Sequence, residues 1–196
     1  MLLRSGILTS LDGEPVAVEN TTAQSGVVFV CEHASLALPA SAGSLGLSSE
    51  ALSSHIAWDP GALAMARRLS AALDGVLVHQ RFSRLIYDCN RPPESPAAMP
   101  EKSEIYDIPG NKDLGPAERY ARTAAFYIPF HDQVASEIAR VERSGRQPVI
   151  VTIHSFTPVY FGKQRDVEIG ILHDVDSRLA DAMLEGAAKA GRFRVE

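Results

Sequence analysis

Two stretches of the chain are unbroken apolar runs that stop at a histidine. Residues 27–35 read VVFVCEHAS and turn polar at Glu32 and His33, and residues 148–155 read PVIVTIHS and end in His154 and a serine. Apolar runs of this length are typical of strands covered on both faces, as in the sheet of an α/β domain. Ligand sites in such sheets lie beyond the carboxyl ends of the strands. The pattern therefore predicts two buried strands whose tips bring two histidines together.

Apolar residues between and after these runs recur with helical spacing. Asp59 and Pro60 are favoured at the cap and first turn of a helix, and Pro116 opens a longer helical stretch over residues 117–143, with a bend predicted at Pro129. The other predicted elements are a lead-in with an edge strand over residues 1–25, helices at 49–56 and between Asp176 and Gly191, and strands at 76–79, 85–89, 168–172 and 193–195. Interleaved strands and helices predict an α/β domain with a mixed, mostly parallel sheet and helices on both faces.

Composition narrows the class of protein. A chain of 196 residues is long enough for one sizeable core, and we predict a single domain. The net charge of -5 argues against nucleic acid and anionic membranes as partners. No signal peptide and no apolar run of about 20 residues is present. Cys31 and Cys89 lie inside apolar runs, which is typical of reduced core thiols in a cytoplasmic protein.

The two histidines are the first candidates for chemistry. Neutral imidazole at the end of a rigid strand is a good ligand for zinc or another divalent metal, and a catalytic zinc site adds a third protein ligand and a water. Asp59 and Glu32 compete as the carboxylate ligand, and we favour Asp59. The structural alternatives are that His33 and His154 are core histidines bonded to backbone and that Asp59 is simply a helix cap.

A second candidate region reads SRLIYDCNRP. Arg84 and Arg91 bracket a predicted strand, and Asn90 stands beside the second arginine. An Asn-Arg pair can hold a substrate carboxylate, and the other arginine can stabilise an oxyanion. The alternative is a pair of surface arginines, with Asp88 as an ordinary ionic partner for either. Residues 91–115, which hold five of the twelve prolines, are predicted to form a functional lid or a mobile excursion.

Three further polar residues are candidates on weaker grounds. Glu168 lies in the apolar run VEIGIL, and a buried acid needs either an arginine partner or a function. His131, in the bent helix, is a candidate to face the site and contact substrate. Ser155 is a second candidate substrate contact, but it has no base in visible register and is not predicted to be a nucleophile.

Several of these pieces together resemble the N-formylglutamate amidohydrolase family. They are CEHAS, the AWD before a helix, SRLIYDCNRPP, YIPFHDQV and the HSF strand, and they cover the chain from about Val27 onward. The family is similar to zinc carboxypeptidases and aspartoacylase-type deacylases. The resemblance implies a phosphorylase/hydrolase-like, three-layer α/β/α fold. It also implies cleavage of N-formyl-L-glutamate to formate and L-glutamate during histidine degradation.

The resemblance also implies roles for individual residues. His33 and His154 fall on the metal-binding histidines, Asn90 and Arg91 where related enzymes hold a substrate carboxylate, and Arg84 where an arginine polarises the scissile carbonyl. In the carboxypeptidase-like group a glutamate stands three residues after the first histidine, whereas this chain has a leucine there. The carboxylate ligand must therefore come from elsewhere, and both Asp59 and Glu32 stay open.

A second departure concerns the general base. The family places its likely base, a glutamate, on a strand near the C-terminus, and no matching run precedes Glu196. The chain also stops on a strand-like segment. The resulting expectations are that the chain is truncated at its C-terminus, that it lacks the base, or that Glu168 replaces it as a catalytic residue beside Arg84.

The sequence thus predicts a zinc-dependent amidohydrolase acting on a small N-acyl acidic amino acid, with N-formyl-L-glutamate as the first choice. One alternative is a related deacylase or carboxypeptidase-like enzyme with another acyl substrate. The other is a family member without catalysis that binds an acidic metabolite. The sequence does not predict the oligomeric state.

Overall fold

The structure is a computed structural model that describes residues 6–160 and 162–196, so the first five residues of the predicted lead-in lie outside the description. The described residues fall into two compact units, one ending at Ser155 and the other spanning Phe156–Glu196. The expectation of a single domain stays a prediction. No helix in the described residues is both long and apolar enough to cross a membrane.

A four-stranded sheet organises the first unit. Its strands are β1 (Val16–Glu19), β2 (Val27–Cys31), β3 (Val76–Gln80) and β4 (Val149–Thr152), in the spatial order β1-β3-β2-β4. β2 runs parallel to both β3 and β4, whereas β1 runs antiparallel to β3. The predicted mixed, mostly parallel sheet is therefore confirmed.

Both faces of the central strands are covered, which explains why β2 is apolar without alternation. One core cluster contains Phe29 and Cys31 and includes the inner face of a helix. Val28 and Val30 belong to the opposite cluster, which contains Phe126 and lies against another helix. The sheet therefore lies between two helical layers, as the predicted α/β/α arrangement requires.

The described residues form five α-helices, four of them in the first unit. They are α1 (Ser49–Ser53), α2 (Ala62–Ala72), α3 (Pro116–Arg122), α4 (Ile128–Arg143) and, in the second unit, α5 (Arg178–Ala190). α2 lies on the face with Phe29, and α4 lies on the face with Phe126. A π-helical turn, Thr123–Tyr127, joins α3 to α4, so the predicted long helical stretch forms, with a change of winding before α4. The bend predicted at Pro129 stays a prediction.

Four strand predictions need correction. β4 forms as predicted but is an edge strand among the described residues, and Ile150 on it is 51% exposed, so it is not a buried strand. Residues 85–89 are buried turns rather than a strand, because their apolar side chains enter the core from an irregular loop. The strands predicted at 168–172 and 193–195 reduce to one isolated bridge between Ile169 and Val195.

The proline-rich segment 91–115 is packed on the core rather than free. Met99 and Ile108 are fully buried within it. Arg122 donates hydrogen bonds to the Asn111 side chain at 2.6 Å and to the Gly110 carbonyl at 2.9 Å, while the Asn111 amide donates to the carbonyls of Leu85 and Pro100. This buried polar cluster, which sequence reasoning did not anticipate, fixes the segment to the turns that precede Asp88.

The two thiols lie in the core without a disulfide, so the predicted reduced state is the one the structure has. Burial raises the pKa of Cys31 and of Cys89 to about 12. At pH 8 only about one thiol in ten thousand is then ionised, and only the thiolate reacts.

We expect the native protein to resist a thiol-specific reagent at pH 8 and to react at both cysteines after unfolding in urea. A fast-reacting thiol in the native protein would contradict this burial.

Candidate metal centre

The two histidines leave the sheet at the same edge. Val30 of β2 pairs with Thr152 of β4, and Ile153, the residue after β4, donates its backbone N–H to the Val30 carbonyl at 2.9 Å. His33 and His154 follow within three residues of that register. Their ring centroids lie 4.9 Å apart. Parallel pairing of β2 and β4 therefore produces the convergence that the two apolar runs predict.

Asp59 lies between the two rings and does not cap a helix. The cap of α2 is Gly61, with φ at 85°, and Asp59 contributes only its backbone carbonyl to the first turn. Its carboxylate oxygen Oδ2 lies 3.0 Å from Nδ1 of His154 and 3.4 Å from Nδ1 of His33. Oδ2 also accepts the backbone N–H of Ser155 at 3.1 Å. The helix-cap interpretation of Asp59 is therefore wrong.

These three side chains form a group that could hold a metal ion. One ligand atom from each of His33, Asp59 and His154 lies within 4.8 Å of the other two. Two imidazole nitrogens and one carboxylate oxygen are the donor set of many catalytic zinc sites, which keep a further position open. His33 and Asp59 are 3% and 5% exposed, whereas the His154 side chain is 32% exposed, so the group can be reached from solvent.

Glu32 lies on the far side of His154. Its Oε2 is 3.4 Å from Nε2 of His154, whereas the other ring nitrogen, Nδ1, faces Asp59. The three-residue group therefore includes Asp59 and not Glu32. Of the two carboxylates that the sequence left open, the geometry favours Asp59 as the ligand.

Asp88 lies on the far side of His33. Its Oδ1 is 2.7 Å from Nε2 of His33 and accepts the backbone N–H of Asn90 at 2.9 Å, while Oδ2 accepts a hydrogen bond from Arg84 at 2.7 Å. A carboxylate on the nitrogen that faces away from a metal fixes the ring and its tautomer. Sequence reasoning identified Asp88 only as an arginine partner. The four-residue spacing to Arg84 signals that ion pair, but no local pattern signals the contact with His33.

Hydrogen bonds control the charge state of the buried acids. Burial alone would raise the pKa of Asp59, but its bonds with His154 and His33 hold that pKa far below the usual range. Burial likewise opposes the ionisation of Asp88, and the bond with His33 outweighs it and lowers the pKa. Burial would also lower the pKa of His33, yet the two aspartates raise it. Both aspartates therefore favour a positive charge beside them, which in this structure Arg84 and His33 provide.

Arg84 lies at the rim of the group. Its side chain is 30% exposed, and its Nη1 is 3.5 Å from Oδ1 of Asp59. The loop that carries it is held by Ser83, whose hydroxyl donates to the Ala57 carbonyl and whose backbone N–H donates to the Ala37 carbonyl, both at 2.7 Å. The loop is thereby tied to the segments that carry both Asp59 and His33.

The predicted substrate-binding residues differ in their surroundings. Asn90 and Arg91 are exposed, and the side chain of Arg91 makes no ion pair within the described part of the chain. Nε2 of His131 lies 3.0 Å from the backbone carbonyl oxygen of Cys89, the residue that precedes Asn90. Ser155 contacts Asp59 through its backbone alone among the described contacts. None of these contacts tests a substrate role, which remains a prediction for all four.

Glu168 is not the buried acid that the sequence predicts. It is exposed in the second unit, and its carboxylate accepts the backbone N–H of Arg194 at 3.0 Å. The apolar neighbours that suggested a buried strand form only the Ile169–Val195 bridge. The assignment of Glu168 as a catalytic residue stays a prediction without support from burial.

Comparisons with known proteins found a matching family model and a similar solved structure. The model of the N-formylglutamate amidohydrolase family matches residues 25–196. The chain is also similar to a gene product from Agrobacterium tumefaciens of known crystal structure, with 63% sequence identity and a TM-score of 0.94 over 96% of this chain and 75% of that one. A comparison with curated proteins found no match.

The group makes a direct prediction about metal affinity. The wild-type protein should bind one divalent ion, and Asp59→Asn, which removes a ligand, should weaken binding by more than about 100-fold, whereas Asp88→Asn should weaken it by about 10- to 100-fold. Titration of the metal-free proteins with Zn²⁺, followed by calorimetry and by the shift in melting temperature, measures both effects. Asp132→Asn, at an exposed position of α4, is the matched control and should bind as the wild type does. Equal affinity of all four proteins would exclude this site.

Proposed function

Because the chain belongs to the N-formylglutamate amidohydrolase family, we propose that it hydrolyses the amide of an N-acyl acidic amino acid with the help of a bound metal. The proposed substrate is N-formyl-L-glutamate, and the products are formate and L-glutamate. The observation that carries the proposal is the convergence of His33, Asp59 and His154 beside an accessible arginine. The proposed metal is Zn²⁺, and the proposed setting is histidine degradation in the cytoplasm.

His33 and His154, each through Nδ1, and Asp59 through Oδ2 would hold the metal. A divalent ion supplies Lewis acidity towards an amide carbonyl and lowers the pKa of water towards about 7. Asp88 holds the ring of His33, and the backbone N–H of Ser155 holds the carboxylate of Asp59. The donor atoms are thus oriented by hydrogen bonds before any ligand arrives, which reduces the reorganisation required on binding.

Arg84 is the proposed donor to the oxygen of the scissile carbonyl. One of its nitrogens is engaged by Asp88, and its side chain remains 30% exposed at the rim of the group. Guanidinium groups carry five N–H donors in a plane, so the bond to Asp88 leaves donors for a substrate oxygen. A positioned donor to a developing oxyanion is worth about 3 kcal/mol in the transition state.

Arg91 and Asn90 are the proposed carboxylate binders. Both are exposed, and both follow within three residues of Asp88, which itself contacts Arg84 and His33; this supports their assignment. A planar guanidinium can hold a carboxylate through two parallel bonds, which fixes orientation as well as charge. A substrate with a free acid would then present its amide to the metal site. His131 and Ser155 are proposed as further substrate contacts.

The reaction itself is tested by formate release. We expect the zinc-loaded protein to release formate from N-formyl-L-glutamate, dialysis against a chelator to abolish that release, and added Zn²⁺ to restore it. A coupled formate dehydrogenase assay measures the rate. N-acetyl and N-succinyl glutamate and dipeptides with a terminal glutamate, assayed in parallel, separate the formyl substrate from other acyl groups. Undiminished activity in a protein free of metal would contradict the proposed metal-dependent mechanism.

Carboxylate recognition predicts a separate kinetic effect. Arg91→Met should raise KM for N-formyl-L-glutamate by about 10- to 100-fold with little change in kcat, because a charge-assisted contact worth about 1.5–3 kcal/mol is lost. The KM of Arg91→Lys should lie between those of the wild type and Arg91→Met, because lysine keeps the positive charge but lacks the two parallel donors of the guanidinium. Arg143→Met, at an exposed position near the end of α4, is the control. An unchanged KM in Arg91→Met would exclude Arg91 from substrate binding.

A further inference from the structure

Glu32 carries a buried oxygen whose hydrogen bonding is incomplete. The residue is 7% exposed, and its Oε2 is buried without a hydrogen-bond partner among the described residues. The polar atom that faces it is Nε2 of His154, at 3.4 Å. Leaving a buried acceptor unpaired is destabilising. The pair is close enough for an ion-pair contact but lacks the alignment of a hydrogen bond, so a small reorientation of the two side chains would be needed to form one.

The two histidines have matching surroundings. Each directs Nδ1 at the same oxygen of Asp59, and each directs Nε2 at a separate buried carboxylate, which is Asp88 for His33 and Glu32 for His154. Asp88 already makes a short contact of 2.7 Å. Glu32 therefore occupies at the second ring the position that Asp88 occupies at the first.

We propose that Glu32 is a positioning residue which accepts the Nε2–H of His154 and thereby holds Nδ1 of that ring towards Asp59 and His33. The inference rests on the proposed metal site. An imidazole that binds a metal is neutral and has a single N–H, which must lie on the nitrogen that faces away from the metal. With Nδ1 assigned to the metal, that proton is on Nε2, and Glu32 is the acceptor in front of it.

His154 needs such a contact more than His33 does. The His33 side chain is 3% exposed and enclosed by the core, whereas that of His154 is 32% exposed and follows the exposed edge strand β4. Packing alone leaves an exposed ring free to rotate between staggered conformers. A buried carboxylate on its outer nitrogen supplies the restraint that packing does not. Glu32 on this account is neither a metal ligand nor a proton carrier.

Two substitutions separate the possible roles of Glu32. Glu32→Gln keeps an oxygen that can accept the Nε2–H, and Glu32→Leu removes it. We expect Zn²⁺ affinity to fall by less than about 5-fold in the first variant and by about 10- to 100-fold in the second. Glu137→Gln is the matched control, because Glu137 is an acid of α4 with 8% exposure that lies outside the group, and its affinity should equal that of the wild type. Titration of the metal-free proteins gives the affinities, and circular dichroism shows that each variant is folded.

A spectroscopic measurement reports the contact itself. In the Zn²⁺-loaded protein with ¹⁵N-labelled histidine, the Nε2–H resonance of His154 should be protected from exchange in the wild type and in Glu32→Gln, and lost in Glu32→Leu. Equal affinity losses in both variants, with a changed Co²⁺ absorption spectrum, would instead make Glu32 a ligand. A Zn²⁺ affinity of Glu32→Leu equal to that of the wild type would contradict the positioning role of Glu32. A wild type that binds metal without hydrolysing any acyl-glutamate overturns the proposed function alone, and one that binds no metal overturns both.

Discussion

The site depends on one buried carboxylate. Asp59 is 5% exposed, and its Oδ2 joins His33, which is 26 residues away in the chain, and His154, which is 95 residues away. A buried charge without partners costs several kcal/mol, so the folded state would be destabilised if the two histidines did not contact the Asp59 carboxylate. The ends of β2 and β4 and the segment before α2 are therefore fixed to one another by an electrostatic requirement, in addition to the pairing of the strands. A site held in this way is organised before it binds a ligand.

The sequence predicts those parts of this arrangement that follow from local pattern. β2 and β3 are apolar runs of strand length, and parallel pairing of β2 with β4 makes the convergence of their following histidines a matter of geometry. The edge position of β4 could not be predicted, because an apolar run indicates a strand but does not indicate whether a second strand pairs with its other side. The turns at residues 85–89 show the same limit, since burial favours apolar residues in an irregular loop as well as in a strand.

The errors within the site have a common physical cause. Asp59 followed by a proline is a favourable helix start by local rules, yet two imidazoles and the backbone N–H of Ser155 outcompete the helix for its carboxylate. Gly61, in the left-handed conformation, takes over the start of α2. Asp88 has the same character, because the partner that matters for the site, His33, lies 55 residues away. Local propensity is reliable where the backbone is the strongest partner available, and these two aspartates have stronger ones.

The guanidinium of Arg84 is partly exposed and contacts two buried aspartates of the site. It donates to Asp88 at 2.7 Å and lies 3.5 Å from the other oxygen of Asp59, so one planar group touches both carboxylates that orient the histidines. A lysine has no such fork and could not hold both contacts with a fixed geometry. Its partial exposure leaves donors facing solvent. A negatively charged oxygen that forms beside Arg84 would compete with the aspartates for the same cation, which couples the charge of the reacting group to the groups that hold His33. Under the proposed function, substrate recognition and the geometry of the metal site would therefore depend on each other.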